Sequence, residues 1–475
     1  ISVTGVQTCA LPIWFGPISG PHFNMMERID YLSVIDYLSV NVSIKQGMTD
    51  MFGITKKLKA AHLKSAIRRK VTCGLLALPA LALLSTSALA NAEFPTSVVN
   101  TTGLAVTDDT VTIGILHSIT GSMAISETGS VQAEKLAIKQ INESGGVLGR
   151  QIKWIQEDGA TDWPNFAEKA KKLIVNDKVA AVMGCWTSAS RKAVLPVFEQ
   201  YNNMLYYPTM YEGLEASRNI IYTGQEATQQ ILAGIDWIVK EKNPKTFYFV
   251  GSDYIWPRTS FKIARKHIEN VYGLEVIGEQ YYPLGHTQFN SVINKMKLKK
   301  PDVIFSIVVG GSNVAFYKQI TGAGVDLTKQ TVITISATED EVRGIGGENI
   351  VGTYMFAKYF QSLDNPNNKQ FLKEFKEMWG DDVVVGDVTN NAYLGPWLWK
   401  AAVEKAGSFD IDRIKEVNGS GIEMANAPEG YVRIHETNNH LYSKLRVGRA
   451  RLDGQFDVVH ESELMEPDPF PEGYQ

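Results

Sequence analysis

The chain is predicted to be an α/β protein of two lobes, each a doubly wound, mainly parallel sheet. Short apolar runs closed by glycine or polar clusters alternate with segments of helical spacing from residue 109 to about 356, the pattern of parallel strands covered by helices on both faces. The alternation pauses after Tyr207 and restarts after Ile220-Ile-Tyr-Thr-Gly224, which gives two series rather than one. With 475 residues and 44% hydrophobic residues, the chain can fill two full cores.

The elements follow in order. Residues 110–116 read as a strand, 131–142 as a helix, 152–156 as a strand and 166–176 as a helix. The third strand is Val179-Ala-Ala-Val-Met-Gly184, and helical spacing resumes after Cys185-Trp-Thr-Ser-Ala-Ser190. The hydroxyls of Thr187, Ser188 and Ser190 therefore fall at a strand-to-helix turn, where open α/β sheets bind ligands and free N–H groups gather. Ser188 or Ser190 is alternatively a helix N-cap. Met204-Leu-Tyr-Tyr207 is the next strand, closed by Pro208-Thr209-Met210-Tyr211.

In the second series, helices are expected at 229–241, 261–272, 289–298 and 312–321, with strands at 246–251, 275–281, 303–309 and 331–335. After 351–356 come helices at 369–379 and 391–406 and strand-like runs at 431–435, 441–449 and 456–460. The stretch 463–475 is too rich in proline and acid for regular structure.

Residues 1–47 resemble translated adapter read-through followed by a repeated Ile-Asp-Tyr-Leu-Ser-Val, and read as a non-native leader. Residues 48–90, starting at Met48 or Met51, read as a signal peptide: a basic stretch, an apolar run at 74–84 and Ser87-Ala-Leu-Ala90 as a cleavage site. An uncleaved anchor is the alternative, although the apolar run is short for one. Cleavage near Ala90 implies a periplasmic protein and leaves Cys185 as its one thiol, read as a small buried residue. A net charge of -4 provides no basic footprint for nucleic acid.

Four motifs together resemble a known family: Gly184-Cys-Trp-Thr-Ser-Ala-Ser-Arg-Lys-Ala-Val-Leu-Pro196, Tyr206-Tyr-Pro-Thr-Met-Tyr-Glu-Gly213, Gly251-Ser-Asp-Tyr-Ile-Trp-Pro-Arg258 and Glu436-Thr-Asn-Asn-His-Leu441. Residues 109–475 are similar to type I periplasmic solute-binding proteins of the branched-chain amino-acid class, and within it to the urea and short-chain amide branch. The resemblance implies a type I periplasmic-binding-protein fold with a hinge of three crossings, near 222–228, 355–360 and 429–432. Lobe 1 would then be 109–225 with 357–428, lobe 2 would be 226–356 with 429–462, and 463–475 a tail. It implies closure on a ligand between the lobes and delivery to the permease subunits of an ABC transporter, with no cofactor or metal.

The resemblance also places Trp186 and Ser188, with Thr187, Tyr207 and Thr209, on the first lobe's site and Tyr254 and Trp256 on the second lobe's. Where amide-binding relatives carry tyrosines this chain has Trp186 and Trp256, and Met210 stands at a proline position. A planar neutral amide needs hydroxyl and backbone partners and flat walls, which these residue types supply. Tyr254 and Trp256 are otherwise packing over a strand end. Ser118 and Thr120 sit where the class contacts ligand, or else shape the turn before Gly121. Glu339 can accept N–H groups of urea, pair with an amino acid's ammonium, or open a helix as a solvated acid.

No nucleophile elbow, zinc-protease motif or phosphate loop is present in the sequence, so no enzyme is expected. His117, His286 and His435 read as surface or turn residues. An amino-acid-binding protein of the same class and an amide-sensing regulator are the alternatives.

Overall fold

The computed structural model describes residues 94–475. The expected leader, the signal peptide, Cys9 and Cys73 lie outside the described residues. The first lobe is built from β1 (Thr110–His117), α1 (Ala124–Glu143), β2 (Gln151–Asp158), α2 (Trp163–Lys171), β3 (Val182–Gly184), α3 (Ser188–Gln200), β4 (Leu205–Tyr207) and β5 (Ile220–Tyr222). These strands form one parallel sheet in the order β2-β1-β3-β4-β5. The chain leaves β1 for β2 on one side and returns to β3 on the other, so a crevice opens past the carboxyl ends of β1 and β3. In register, Leu116 lies opposite Gly184 and Tyr207 opposite Tyr222.

The second lobe repeats the scheme with α4 (Ala233–Lys242), β6 (Thr246–Ser252), α5 (Ile255–Lys266), β7 (Glu275–Tyr282), α6 (Asn290–Lys299), β8 (Val303–Ile307), α7 (Gly311–Gly322), β9 (Thr331–Thr334), α8 (Glu339–Ile345) and β10 (Tyr354–Ala357). Its switch point lies between β6 and β8. The chain then returns to the first lobe as α9 (Pro366–Trp379), α10 (Asp387–Ala406), α11 (Ile411–Asn418), β11 (Glu423–Ala427), β12 (Gly430–Ile434) and β13 (Leu441–Tyr442). It ends in the second as β14 (Arg446–Ala450) and β15 (Phe456–Glu461), antiparallel strands that extend the sheet to β15-β14-β10-β9-β8-β6-β7.

Several expectations need correction. Residues 429–440 belong with the first lobe: β12 pairs antiparallel with β11 and β13, and Val432, Ile434 and Leu441 share a core with β1 and α10. An alternating run fits either sheet, and here the local hairpin with β11 wins. The expected strand 441–449 is broken at Ser443–Leu445, where the chain changes lobes. Helix α1 begins at Ala124 rather than near 131, because Ser126, Glu127 and Ser130 are buried in spite of their polarity. Helix α5 begins at Ile255 rather than 261, which puts Trp256 in its first turn. The tail 463–475 has no regular element yet is anchored: Leu214 N–H donates to the Pro469 carbonyl at 2.7 Å, and the Tyr474 hydroxyl meets His267 Nδ1 at 2.6 Å.

The lobes are shut on one another. Met123, Trp186, Met210 and Val388 of the first lobe pack into the same apolar core as Trp256, Ile307 and Ile335 of the second. At the cleft edge, Gly311 N–H donates to the Ser122 carbonyl at 3.2 Å, and Asp340 Oδ2 accepts from Gly386 N–H at 2.9 Å and Thr389 Oγ1 at 3.0 Å. Among the described residues no helix is long and apolar enough to cross a membrane.

Candidate functional site

The site begins at the β3–α3 turn. Gly184 has φ +151°, and a Cβ there would meet the Leu116 carbonyl oxygen at 2.1 Å, so only glycine lets the turn form this close to β1. Cys185 follows at φ +62° with its thiol buried, and burial pushes that thiol up, away from nucleophilic use. Thr187 is the N-cap of α3: its Oγ1 accepts Ser190 N–H at 3.0 Å. Neither Ser188 nor Ser190 is the cap. Ser190 Oγ donates back to the Thr187 carbonyl at 2.8 Å, and Ser188, the first helical residue, donates its hydroxyl to Glu212 Oε2 at 2.5 Å.

Ser188 belongs to a buried ionic network. Arg191, one turn on, donates from Nη1 to Ser188 Oγ at 3.1 Å, from Nη2 to Glu212 Oε1 at 3.2 Å and from Nε to Glu215 Oε1 at 2.7 Å. Its guanidinium lies against the rings of Tyr207 and Tyr211, 4.9 and 4.3 Å from their centroids. Burial acts to raise the Glu215 carboxyl, but Arg191 and Lys192 outweigh it and bring it down to about 2. The Tyr222 hydroxyl donates to Glu215 and that of Tyr207 to the Trp186 carbonyl at 2.7 Å, so the network extends from the hinge strand β5 to the residue before the cap. Neither Ser188, Thr187 nor Tyr207 therefore presents a free hydroxyl hydrogen.

Across the cleft, Trp186 of the first lobe meets Trp256 of the second edge-on, with centroids 6.1 Å apart and planes at 85°. Tyr254 stands 6.4 Å from Trp256. Trp186 Nε1, Trp256 Nε1, the Tyr254 hydroxyl and Thr209 Oγ1 are all buried without a protein partner. Buried polar atoms are nearly always paired, and leaving one unpaired costs on the order of 1 to 3 kcal/mol. Four such atoms, two from each lobe, lie on residues that the sequence reading placed at the cleft. Burial pushes the Tyr254 hydroxyl well up, and the nearby Tyr207 and Glu212 of the opposite lobe add to that. Gly224, at the first crossing, packs so closely that a Cβ would meet the Thr209 carbonyl carbon at 2.3 Å, which fixes the Thr209 backbone against the hinge.

The remaining candidates are engaged elsewhere. Ser118 Oγ accepts Thr161 N–H at 3.0 Å, and Thr120 Oγ1 donates to Asp158 at 2.6 Å, so both shape the β1–α1 turn. Glu339 opens α8, but it is buried rather than solvated, and its Oε1 accepts Gln361 N–H at 2.8 Å by the second crossing.

His117 is not a surface residue. It is fully buried with Nε2 at 2.9 Å from Glu134 and Nδ1 at 3.4 Å from Glu127; burial would lower it, but the two carboxylates outweigh this and raise it to about 10. Glu127, which also accepts Ser118 N–H at 2.6 Å, keeps its Oε1 buried and unpartnered. Its position in a polar first helical turn gave no periodic signal. A cavity of about 420 Å³ lies at the outer rim, lined by Ile125, Gly129, Asp340 and Val383. Within its lining Asp340 is bonded to Gly386 and Thr128 to the Ala124 carbonyl.

Residues 111–475 match the family model for the periplasmic binding protein domain. The chain belongs to that family. This periplasmic binding protein is 26% identical over 318 residues to the leucine-, isoleucine-, valine-, threonine-, and alanine-binding protein of Pseudomonas aeruginosa, covering 65% of this chain and 82% of that one. It has the fold of an ABC-transporter solute-binding protein from R. palustris solved in complex with 4-hydroxybenzoate: TM-score 0.68 at 20% identity, covering 77% of this chain and all of that one. A segment of 119 residues, 25% of this chain, is 39% identical to a Geobacillus stearothermophilus protein named limonene hydroxylase. The chain spans only 21% of that protein's length, so the name carries no activity over.

Proposed function

We propose that this binding protein captures urea or a short-chain amide between its lobes in the periplasm and delivers it to the permease of an ABC importer. The observation that carries this reading is the set of orphaned atoms on Trp186, Trp256, Tyr254 and Thr209. Two indole N–H groups can only donate, which suits a carbonyl oxygen, while the two hydroxyls can also accept from amide N–H groups. The buried Arg191 is already paired with Glu212 and Glu215, so it offers no unpaired cation for a carboxylate.

An amino-acid ligand is the second reading, favoured by the likeness to the Pseudomonas aeruginosa leucine-, isoleucine-, valine-, threonine-, and alanine-binding protein. A thermal-shift panel of urea, acetamide, formamide, leucine and 4-hydroxybenzoate separates the two. An amide at about one hundred times its Kd should stabilise the protein by roughly 2.7 kcal/mol. Stabilisation by leucine or 4-hydroxybenzoate with no response to any amide would reject the amide reading. Ammonia release on incubation with urea or acetamide would reject the view that the protein binds without reacting.

A further inference from the structure

We infer that Glu212 sets the hydrogen-bonding polarity of Ser188, so that the first lobe offers a lone pair to a ligand N–H and turns away carboxylates. The inference rests on the reading of the cleft as a site for a small amide. A serine hydroxyl has one hydrogen and two lone pairs. Here the hydrogen is given to Glu212 Oε2 at 2.5 Å and one lone pair is taken by Arg191 Nη1 at 3.1 Å. What remains on Ser188 is a single acceptor lone pair. Tyr207 is held the same way: its hydrogen is given to the Trp186 carbonyl, which leaves its oxygen as an acceptor. With these acceptors on the first lobe, the orphaned indole donors of Trp186 and Trp256 supply the donor half of a pattern complementary to –C(=O)NH2.

Arg191 makes the polarity switchable. Its guanidinium can only donate, and Nη2 faces Glu212 Oε1. In Glu212→Gln, the side-chain oxygen must stay toward Arg191, which leaves the NH2 group facing Ser188. Ser188 Oγ would then accept from both Gln and Arg191, and its own hydrogen would turn outward. An acceptor for ligand N–H becomes a donor for ligand oxygen.

Acetamide and acetate, equal in shape, read this out by calorimetric titration of the full chain. Wild type should favour acetamide, and Glu212→Gln should shift the acetamide-to-acetate affinity ratio at least tenfold toward acetate. In a Ser188→Ala background the same substitution should leave the ratio where it was. Loss of both affinities alike, or a ratio shift that persists without Ser188, would overturn the inference and leave the amide reading standing. If Glu212→Gln does not fold, Ser188→Ala alone decides: acetamide affinity should fall about tenfold with acetate affinity unchanged, and an equal fall in both overturns the inference. A wild type that prefers acetate, or holds neither ligand, overturns the underlying reading and the inference together.

Discussion

Tyr254 and Thr209 carry hydroxyls that are buried and unpartnered, so each should weaken the unliganded closed form while strengthening the liganded one. Tyr254→Phe keeps the ring beside Trp256 and removes only the hydroxyl. Its melting temperature without ligand should equal or exceed that of wild type, while amide affinity falls about tenfold, the equivalent of one ordinary hydrogen bond. A variant that loses stability and keeps affinity would show the hydroxyl to be structural. Thr209→Val should behave the same way. The sequence showed these residues because each follows a short apolar strand ending at a sheet's carboxyl edge. It did not show what Ser188 touches: Glu212 lies 24 residues away, and only the return of the chain after β4 brings it to the start of α3. Glu127 was missed for a similar reason, since its partners Ser118 and His117 precede it across a turn.

Among the elements, α8 and α10 form the contact that opening must break. Asp340 at the start of α8 caps the start of α10 through Gly386 and Thr389, and burial with the neighbouring Glu341 raises it to about 7. Opening returns the carboxyl to water, where it titrates near 4. Closure therefore takes up a proton between these values, and the closed form is favoured as pH falls. Ligand affinity should rise about tenfold between pH 8 and pH 6, and Asp340→Asn, which cannot ionise, should remove that dependence. Affinity independent of pH in wild type would contradict the latch. Glu339, raised to about 8, and Asp387, raised to about 6, act on folding in the same direction. Carboxyls raised in the folded state stabilise it fully below their unfolded values and lose that contribution as pH climbs through 6 to 8, so the melting temperature should fall over this window. The polar start of α1 escaped the sequence pattern because its buried face meets α10 rather than an apolar core: a Cβ on Gly129 would fall 2.3 Å from Thr389 Oγ1.

For the whole molecule, the two lobes were legible because parallel strands buried on both faces read as apolar runs, and those runs come in two series. The return of 430–442 to the first lobe was not legible, since alternation in β12 does not say which sheet it joins. With Met123, Trp186 and Met210 set in the second lobe's core, the closed form buries apolar surface that opening must expose. Ligand should therefore shift an open–closed equilibrium, and small-angle scattering should show a smaller radius of gyration with saturating acetamide than without it. An unchanged profile would count against hinge closure. The most direct test of the central claim is a crystal structure of the protein grown with acetamide. The account predicts a planar ligand beside the edge-on Trp186–Trp256 pair, with its oxygen within about 3.2 Å of an indole Nε1 and its nitrogen against Ser188, Thr209 or Tyr254. Ligand bound elsewhere, with those side-chain atoms still unpartnered, would contradict it.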